Sequence, residues 1–363
     1  MSTSAIERFL ADRIAAGLFP GASFLVAAGD RILAEGALGR SVVEPRTIAA
    51  RRDTLYDLAS LSKPLSTGLL AVLLQRDGML SLDDPLGRHL PSWHASDARG
   101  GITLLDLLVH RSGLPDWRPL YLFAGDRAGR IEWLRRVPLA YPPHSGVIYS
   151  CLGYILAGFA LEAAGGASLD RLFADRIARP IGLRDLMYRP SVADRPRIAA
   201  TETGNCRERS LAGEPGEGYN GWRTGLIWGE VHDTNARTLG GVAGNAGLFG
   251  TTRAIHALAV RLLDTGGGLL RPGDLPLLRC SVTPGMSEQR AVGFQLASTP
   301  GSSAGSGLSP ASFGHTGFTG TSLWIDPEAG RIYILLTNRI HPRYQPHDMQ
   351  SVRREFHMLA ARL

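Results

Sequence analysis

The sequence of 363 residues is 44% hydrophobic and 20% charged and has a formal net charge of +6, a composition typical of a globular chain with a large core. The basic residues are scattered and form no run of five, which gives nucleic-acid binding little support. Three cysteines, Cys151, Cys206 and Cys280, have no paired or metal-like spacing, so we expect a reducing compartment and no metal site.

Strands are predicted near both ends of the chain and helices in its middle. Residues 4–16 carry apolar side chains at helical spacing, and strands at 22–28 and 31–37 form a hairpin. A second hairpin, with its turn at 327–330, precedes a closing helix at 347–362. The helices predicted between the hairpins lie at 61–76, 103–110, 151–164, 168–178 and 252–264.

This order of elements predicts an α+β fold in which strands from both chain ends form one antiparallel sheet. We assign residues 1–58 and 240–363 to a lobe that contains this sheet and its flanking helices. Residues 59–239 form a second, mostly helical lobe, and we expect the active site between the two. The glycine-rich stretches at 213–221 and 300–310 are predicted loops.

The only lysine among the 39 basic residues, Lys63, lies three residues after Ser60. Because Pro64 is tolerated only in a first helical turn, the pair lies near a helix N-terminus, with amine and hydroxyl on one face. The helix dipole there would lower the pKa of Lys63 and stabilise an alkoxide on Ser60. The pattern predicts a serine nucleophile activated by an amine. The alternative is a capping serine followed by a solvated lysine.

Two further segments carry groups suited to the same chemistry. Tyr149 precedes the apolar helix at 151–164, and a phenol beside a lysine can pass a proton from nucleophile to leaving group. The segment GHTGF at 314–318 lies at the head of the C-terminal strands, where its glycines would let a substrate approach a strand edge. An N–H from this strand could complete an oxyanion hole with that of Ser60. If each segment is considered alone, the simpler interpretation of Tyr149 is a half-buried tyrosine at a helix start, and that of 314–318 is a strand bounded by glycines.

Together these segments resemble the serine β-lactamase and penicillin-recognising DD-peptidase superfamily, whose S-x-x-K, Y-x-N or S-x-N, and K-T-G or H-T-G elements occur in this order. Their separations, roughly 90 and 165 residues, look like those of the class C-like branch, which includes esterases and peptidases. Stretches such as TLYDLASLSKPLST and FGHTGFTGTSLWID extend the resemblance over nearly the whole chain. The resemblance implies a β-lactamase/transpeptidase-like fold.

The resemblance also implies roles for individual residues. Ser60 would be the acylated nucleophile, Lys63 the amine that takes its proton or holds the charge, and Tyr149 the proton shuttle. Which of Lys63 and Tyr149 is the base stays open, because the two would titrate as a coupled pair. The N–H groups of Ser60 and Phe318 would form the oxyanion hole. The residues implied in substrate binding are Cys151, His315, Thr316 and Gly317.

One departure from the family pattern bears on the substrate. Cys151 stands where the family usually has asparagine, and a thiol is a weak donor and a weak acceptor. We therefore expect weaker recognition of an acylamino side chain than of a simple ester. His315 replaces the commoner lysine, so a fixed positive charge is missing as well. A nucleophilic Cys151 is disfavoured, because no histidine or carboxylate adjoins it in sequence.

The sequence thus predicts a serine hydrolase that acts through an acyl-enzyme on small ester, amide or β-lactam carbonyls, with esters favoured. The alternatives are a true class C-like β-lactamase or DD-peptidase, and a non-catalytic penicillin-recognising sensor. The N-terminal segment lacks the apolar core of a secretory signal, so we expect a cytoplasmic location, or a periplasmic one if a leader was removed. The expected partner is a small-molecule substrate, without nucleic acid, membrane or cofactor, and the oligomeric state stays open.

Overall fold

A computed structural model describes residues 3–93, 98–263 and 268–363 of the chain. Its α-helices are α1 (Thr3–Ala15), α2 (Leu69–Arg76), α3 (Leu104–Leu108), α4 (Leu120–Phe123), α5 (Arg127–Arg136), α6 (Cys151–Gly165), α7 (Leu169–Phe173), α8 (Cys206–Ala212), α9 (Thr234–Arg237), α10 (Thr252–Leu263), α11 (Leu275–Arg279) and α12 (Met349–Ala360). Its strands are β1 (Gly21–Ala28), β2 (Arg31–Val42), β3 (Ile48–Ala49), β4 (Tyr56–Asp57), β5 (Leu186–Tyr188), β6 (Leu248–Gly250), β7 (Gln295–Leu296), β8 (Phe313–Thr316), β9 (Ser322–Asp326) and β10 (Arg331–Thr337).

Strands from both ends of the chain form one antiparallel sheet, as predicted. Its seven strands follow the order β3-β2-β1-β10-β9-β8-β7. The two predicted hairpins are β1-β2 and β9-β10, and they are joined where β1 pairs with β10. A second sheet of three short strands, in the order β4-β6-β5, was not predicted. It matters for the site because β4 ends three residues before Ser60.

Helices cover both faces of the large sheet, because successive side chains of a strand point to opposite faces. In β1, Phe24 and Val26 pack into a core shared with α1 and α12. The alternate residues, Leu25 and Ala27, belong to the main core, which continues through α10, α2 and α6. The helical middle of the chain therefore packs against one face of the sheet, and the two terminal helices pack against the other.

Several predicted helices differ in their detail. The helix predicted at 61–76 begins with a 3₁₀ turn at Ala59–Leu61 and a π turn at Lys63–Gly68, and only α2 is α-helical. Pro64 has no N–H to give to an α-helical ladder, and π turns often lie at functional sites. The helix predicted at 168–178 is likewise α-helical only in α7. The predicted end at residue 264 lies outside the described residues.

Helix α6 is the most apolar of the helices near the site. Ten consecutive residues, from Leu152 to Leu161, are buried in it, so the core accounts for its composition. Within the described ranges no single helix is long and apolar enough to cross a bilayer, although the bent pair Cys151–Gly165 and Leu169–Ile181 has the length and composition when taken together.

Candidate active site

Ser60 and Lys63 lie side by side in the turns that lead into α2. The Lys63 amine donates to Ser60 Oγ at 2.9 Å, the contact that the three-residue spacing predicts. Lys63 is completely buried, and its amine also donates to the main-chain oxygen of Asn245 at 3.1 Å and to Cys151 Sγ at 3.5 Å. Each of these contacts offers the amine an acceptor, as an ammonium group, which only donates, requires.

The pKa of Lys63 departs from the sequence-based prediction. Burial lowers this pKa, but the negative charges that Cys151 and Tyr149 acquire when they ionise at high pH, together with a hydrogen bond to Tyr149, more than reverse the effect, so the net shift is upward. The prediction of a lowered pKa at a helix N-terminus is therefore wrong. The prediction rested on the helix dipole, whereas the amine also faces two groups that can carry negative charge. Burial raises the pKa of both Tyr149 and Cys151, so the resting site holds an ammonium beside two neutral acids.

The phenol of Tyr149 lies within hydrogen-bonding reach of both Ser60 and Lys63. Its ring centre is 4.8 Å from Lys63 Nζ. The rings of His110 and His315 flank it, with centroids 4.6 and 5.7 Å away. This packing holds the phenol beside the two groups with which it would exchange a proton.

Both flanking histidines are neutral. Burial, reinforced by the charges of Arg290 and Lys63, holds the pKa of His315 and that of His110 well below the ordinary histidine value. His315 Nδ1 donates to the main-chain oxygen of Thr316 at 2.8 Å, which leaves Nε2 as a buried acceptor without a partner among the described residues. The strand side of the site therefore receives no positive charge from His315.

The turn between β8 and β9 lies directly against the segment before Ser60. A Cβ on Gly317 would fall 2.5 Å from the main-chain oxygen of Leu58 and 2.1 Å from Thr321 Oγ1, so no larger residue fits. Ala59 adopts a φ of +48°, in the left-handed region where an alanine is strained. Such strain persists only where the surroundings enforce it, and here the β8-β9 turn packs on the strained residue.

The two residues whose N–H groups are expected to form the oxyanion hole, Ser60 and Phe318, both line the two cavities beside this contact. Across the described ranges, the hydrogen bonds of turns and loops use neither of these N–H groups as a donor. Both are therefore free to donate to a group that enters the cavity.

Two cavities meet at Ser60. The first, of about 280 Å³, lies on the side of Cys151, and its apolar walls include Trp117, Leu211 and Ala246. The second, of about 360 Å³, lies on the strand side. Its lining residues include, besides Ser60 and Tyr149, Glu288, Arg290, Gln295, His315, Thr316, Gly317, Phe318, Arg339, Gln350 and Arg353.

The strand-side cavity carries an excess of positive charge. Among the described residues that line it, three are arginines, and only Arg290 is paired with the single carboxylate, that of Glu288. Arg353 is buried and donates to the main-chain oxygens of Gly317 and Thr321, at 2.7 and 3.0 Å. Burial lowers the pKa of Arg353 to about 9, which still leaves it charged at neutral pH. The charge missing from His315 is thus supplied by arginines that no motif identifies.

Comparisons with known proteins assign the chain to a family. A family model described as Beta-lactamase matches residues 6–354. The chain belongs to the β-lactamase family. A relative from Escherichia coli K12, named "Putative D-alanyl-D-alanine carboxypeptidase", is 31% identical over 384 residues, which cover 95% of this chain and 85% of the relative. A relative of the same name from Salmonella typhi is 30% identical over 366 residues, or 93% of this chain and 82% of the relative.

Two solved structures share the fold of this chain. EstCE1, described as a hydrolase with promiscuous acyltransferase activity, has a TM-score of 0.74 at 21% identity and covers 97% of both chains. A penicillin-binding protein homologue from Caulobacter crescentus has the same TM-score and identity and covers 99% of this chain and 97% of its own. The predicted α+β, β-lactamase/transpeptidase-like fold is therefore confirmed.

The structure adds residues that sequence reasoning missed or only placed nearby. The main-chain oxygen of Asn245 accepts from Lys63. Asp57, whose carboxylate accepts the N–H of Ala59 at 2.9 Å, was not singled out. Its position three residues before Ser60 was an available signal, because aspartate commonly accepts nearby main-chain N–H groups. Arg290 had no such signal in a chain where arginine is common.

Proposed function

We propose that the chain is a serine hydrolase that forms an acyl-enzyme on Ser60. The observation that carries the proposal is the 2.9 Å contact between Lys63 Nζ and Ser60 Oγ, in a cavity where the phenol of Tyr149 reaches both groups. A serine hydroxyl becomes an effective nucleophile when an adjacent group accepts its proton. Membership of the β-lactamase family and the order of the three motifs along the chain support the same reaction.

The proton route starts from the resting charges. Lys63 is an ammonium and Tyr149 a neutral phenol, so the pair becomes a base when it loses one proton to solvent. Ser60 Oγ then attacks the substrate carbonyl carbon while its proton passes to this pair. The N–H groups of Ser60 and Phe318 would donate to the tetrahedral oxygen, and each such donor is typically worth about 3 kcal/mol. Tyr149 returns the proton to the leaving group and later takes one from the water that releases the acyl group.

Small esters are the substrates that the acyl side of the site supports best. Cys151 lines the first cavity beside Ser60 and offers only a weak thiol donor where the family usually has an asparagine. An acylamino side chain would lose the amide partner that asparagine offers at this position, whereas an aliphatic acyl group carries no amide that needs one. The fold neighbour EstCE1 is a hydrolase, which is consistent with this choice.

A second candidate is a D-alanyl-D-alanine carboxypeptidase. The strand-side cavity, with Arg290 and Arg353, would pair with the terminal carboxylate of such a peptide, because arginine binds carboxylates through directed, charge-assisted hydrogen bonds. The curated relatives from E. coli and Salmonella carry this activity in their names. His315, Thr316 and Gly317 would line the strand along which the peptide lies.

The deciding experiment compares three substrates: a short-chain nitrophenyl ester, a peptide ending in D-alanyl-D-alanine, and the same peptide with its C-terminus amidated. We expect ester hydrolysis by the wild type, loss of at least about 10³-fold in Ser60→Ala, and no change in Ser306→Ala, an exposed serine far from the site in sequence. Mass spectrometry of the quenched reaction should place the acyl group on Ser60.

The outcomes separate the candidates. Hydrolysis of the free peptide but not of its amide, at a rate above that of the ester, would favour the carboxypeptidase. A fluorescent penicillin that stays bound while no substrate turns over would identify a sensor. Ester turnover that persists in Ser60→Ala would overturn the proposal itself.

A further inference from the structure

Two buried threonine hydroxyls join the turn that carries Phe318 to the segment before Ser60. Thr319 Oγ1 donates to the main-chain oxygen of Asp57 at 2.7 Å, and Thr321 Oγ1 donates to that of Leu58 at 3.0 Å. Both side chains are at most 1% exposed, and neither lines the two cavities. Their hydroxyls therefore cannot touch a substrate directly.

We propose that Thr319 and Thr321 are positioning residues that hold the two oxyanion N–H donors at a fixed separation. The N–H of Phe318 lies one residue before Thr319 and three before Thr321. The acceptors, the main-chain oxygens of Leu58 and Asp57, lie two and three residues before Ser60. The N–H of Ser60 is the other oxyanion donor. This inference rests on the proposed function and adds to it the structural cause of the oxyanion geometry.

The turn itself is rigid. Gly317 N donates to the oxygen of Thr321 at 2.8 Å, and Gly320 N donates to that of Gly317 at 3.0 Å. The oxygen of Phe318 accepts from Arg339 Nε at 2.7 Å, which ties the peptide on the other side of Phe318. Because the turn cannot easily distort, the two hydroxyls fix the whole turn, including the Phe318 N–H, relative to their acceptors.

The segment before Ser60 is constrained as well. The Asp57 carboxylate accepts Ala59 N at 2.9 Å through one oxygen and His232 N at 2.8 Å through the other. The hydrogen bond from Ala59 N helps to hold Ala59 in its left-handed conformation, from which the chain enters the turn of Ser60. Two rigid segments thus meet, and the threonine hydroxyls donate side-chain hydrogen bonds from one segment to the other.

These hydrogen bonds between the two segments matter because oxyanion stabilisation is sensitive to geometry. Functional groups need placement to within about 0.5 Å, and a displacement of about 1 Å can cost about 10²-fold in rate. The two donors come from segments more than 250 residues apart in sequence, so no local structure sets their separation. Loss of one hydroxyl should therefore loosen the oxyanion hole without altering its donors.

The test compares Thr321→Val, which removes the hydroxyl at nearly constant shape, with Thr321→Ser, which keeps it. The oxygen of Leu58 still accepts from Leu61 N at 3.1 Å, so this carbonyl keeps a partner in Thr321→Val and the variant should fold. We expect kcat/KM for a nitrophenyl ester to fall about tenfold in Thr321→Val, less than the 10²-fold or more of losing a whole donor. Thr321→Ser should retain most of the activity, and Thr319→Val should resemble Thr321→Val.

Phenylboronic acid provides a readout that a merely structural role would not change. Its boron bonds to the serine oxygen, and the tetrahedral adduct places an oxygen in the oxyanion hole. The inhibition constant should therefore rise by about the same factor as kcat/KM falls, while KM changes less than twofold. The matched control is Thr201→Val, a buried threonine whose hydroxyl donates to the oxygen of Ile227 at 3.1 Å.

Three results would overturn the inference: unchanged kcat/KM in both valine variants, equal losses in Thr321→Ser and Thr321→Val, or an equal loss of boronate affinity in Thr201→Val. Ser60→Ala separates this failure from failure of the proposed function. If Ser60→Ala is inactive and the valine variants resemble the wild type, only the positioning role is wrong. If Ser60→Ala remains active, the proposed function is wrong and the threonine variants should not change boronate binding in step with rate.

Discussion

At the scale of single residues, Cys151 changes the proton equilibrium of the site as well as its hydrogen bonding. Its sulfur lies 3.5 Å from Lys63 Nζ. Burial raises the pKa of the thiol, and the charge of Lys63 opposes that rise. In return, Cys151 is the neighbour that contributes most to raising the pKa of Lys63. An asparagine cannot ionise and would exert no such effect, so residue 151 influences the pH at which the base forms.

Replacement of Cys151 by serine should therefore shift the pH dependence of the reaction. Serine keeps the approximate shape but does not ionise in the accessible range, so the pKa of Lys63 should fall. The neutral amine then forms at lower pH, and the rising limb of kcat/KM should move to lower pH. The measurement is a pH profile of ester hydrolysis from pH 5 to pH 10, which reports the essential groups of the free enzyme.

The control for this profile is Cys280→Ser, which removes an exposed thiol. Its rising limb should coincide with that of the wild type. If the rising limb of kcat/KM in Cys151→Ser coincides with that of the wild type, or lies at higher pH, the thiol does not raise the pKa of Lys63.

At the scale of elements, a close backbone contact holds the turns that carry Lys63. Gly293 has a φ of +83°, and a Cβ there would lie 2.9 Å from Pro64 Cα. A Cβ on Gly68 would in turn lie 3.1 Å from Gly293 Cα. The π turn at Lys63–Gly68 is therefore in close contact with the main chain of Gly293 near both of its ends. Such contact restricts movement of the turn that carries Lys63.

Gly293→Ala should damage both stability and activity. A left-handed alanine costs about 1–2 kcal/mol, and forcing a methyl group against Pro64 adds about 1–3 kcal/mol of overpacking. Gly285→Ala is the matched control, because Gly285 has a φ of +76° but nothing within 4 Å of its Cβ position. Urea unfolding should show the larger loss in Gly293→Ala, and only that variant should lose kcat on the ester. Equal losses of stability in the two variants would show that the contact with Pro64 relaxes at no cost.

At the scale of the whole molecule, the parts that the sequence predicts are those with local signals. The hairpins were predictable because alternating strands flank short turns, and Ser60, Lys63 and Tyr149 because their motifs occur in a family order. The π turn and the three-stranded sheet were not predictable, because both depend on contacts with distant segments. The arginines of the strand-side cavity were missed because arginine is common throughout the chain. The division into lobes 1–58 plus 240–363 and 59–239 stays a prediction.

The pH dependence of global stability also depends on a contact that sequence does not reveal. Glu208 is 6% exposed, and burial, together with the charge of Asp233, raises its pKa to about 7 from an ordinary 4.5. The folded state therefore binds more protons than the unfolded state between these values. The stabilisation from protonated Glu208 is complete below about pH 4.5 and is lost as the pH rises through about 7.

Glu208→Gln should remove this dependence, because a glutamine carries no titrating proton. Between pH 5 and pH 8 the free energy of unfolding of the wild type should fall by about 2–3 kcal/mol relative to Glu208→Gln. Urea unfolding at several pH values measures the difference, and Glu217→Gln, at an exposed glutamate in the same part of the chain, is the control. A difference that does not vary with pH would mean that Glu208 is already ionised in the folded protein at pH 5. The hydrogen bonds from the main-chain N–H and the hydroxyl of Thr234 would then outweigh the burial of the carboxylate.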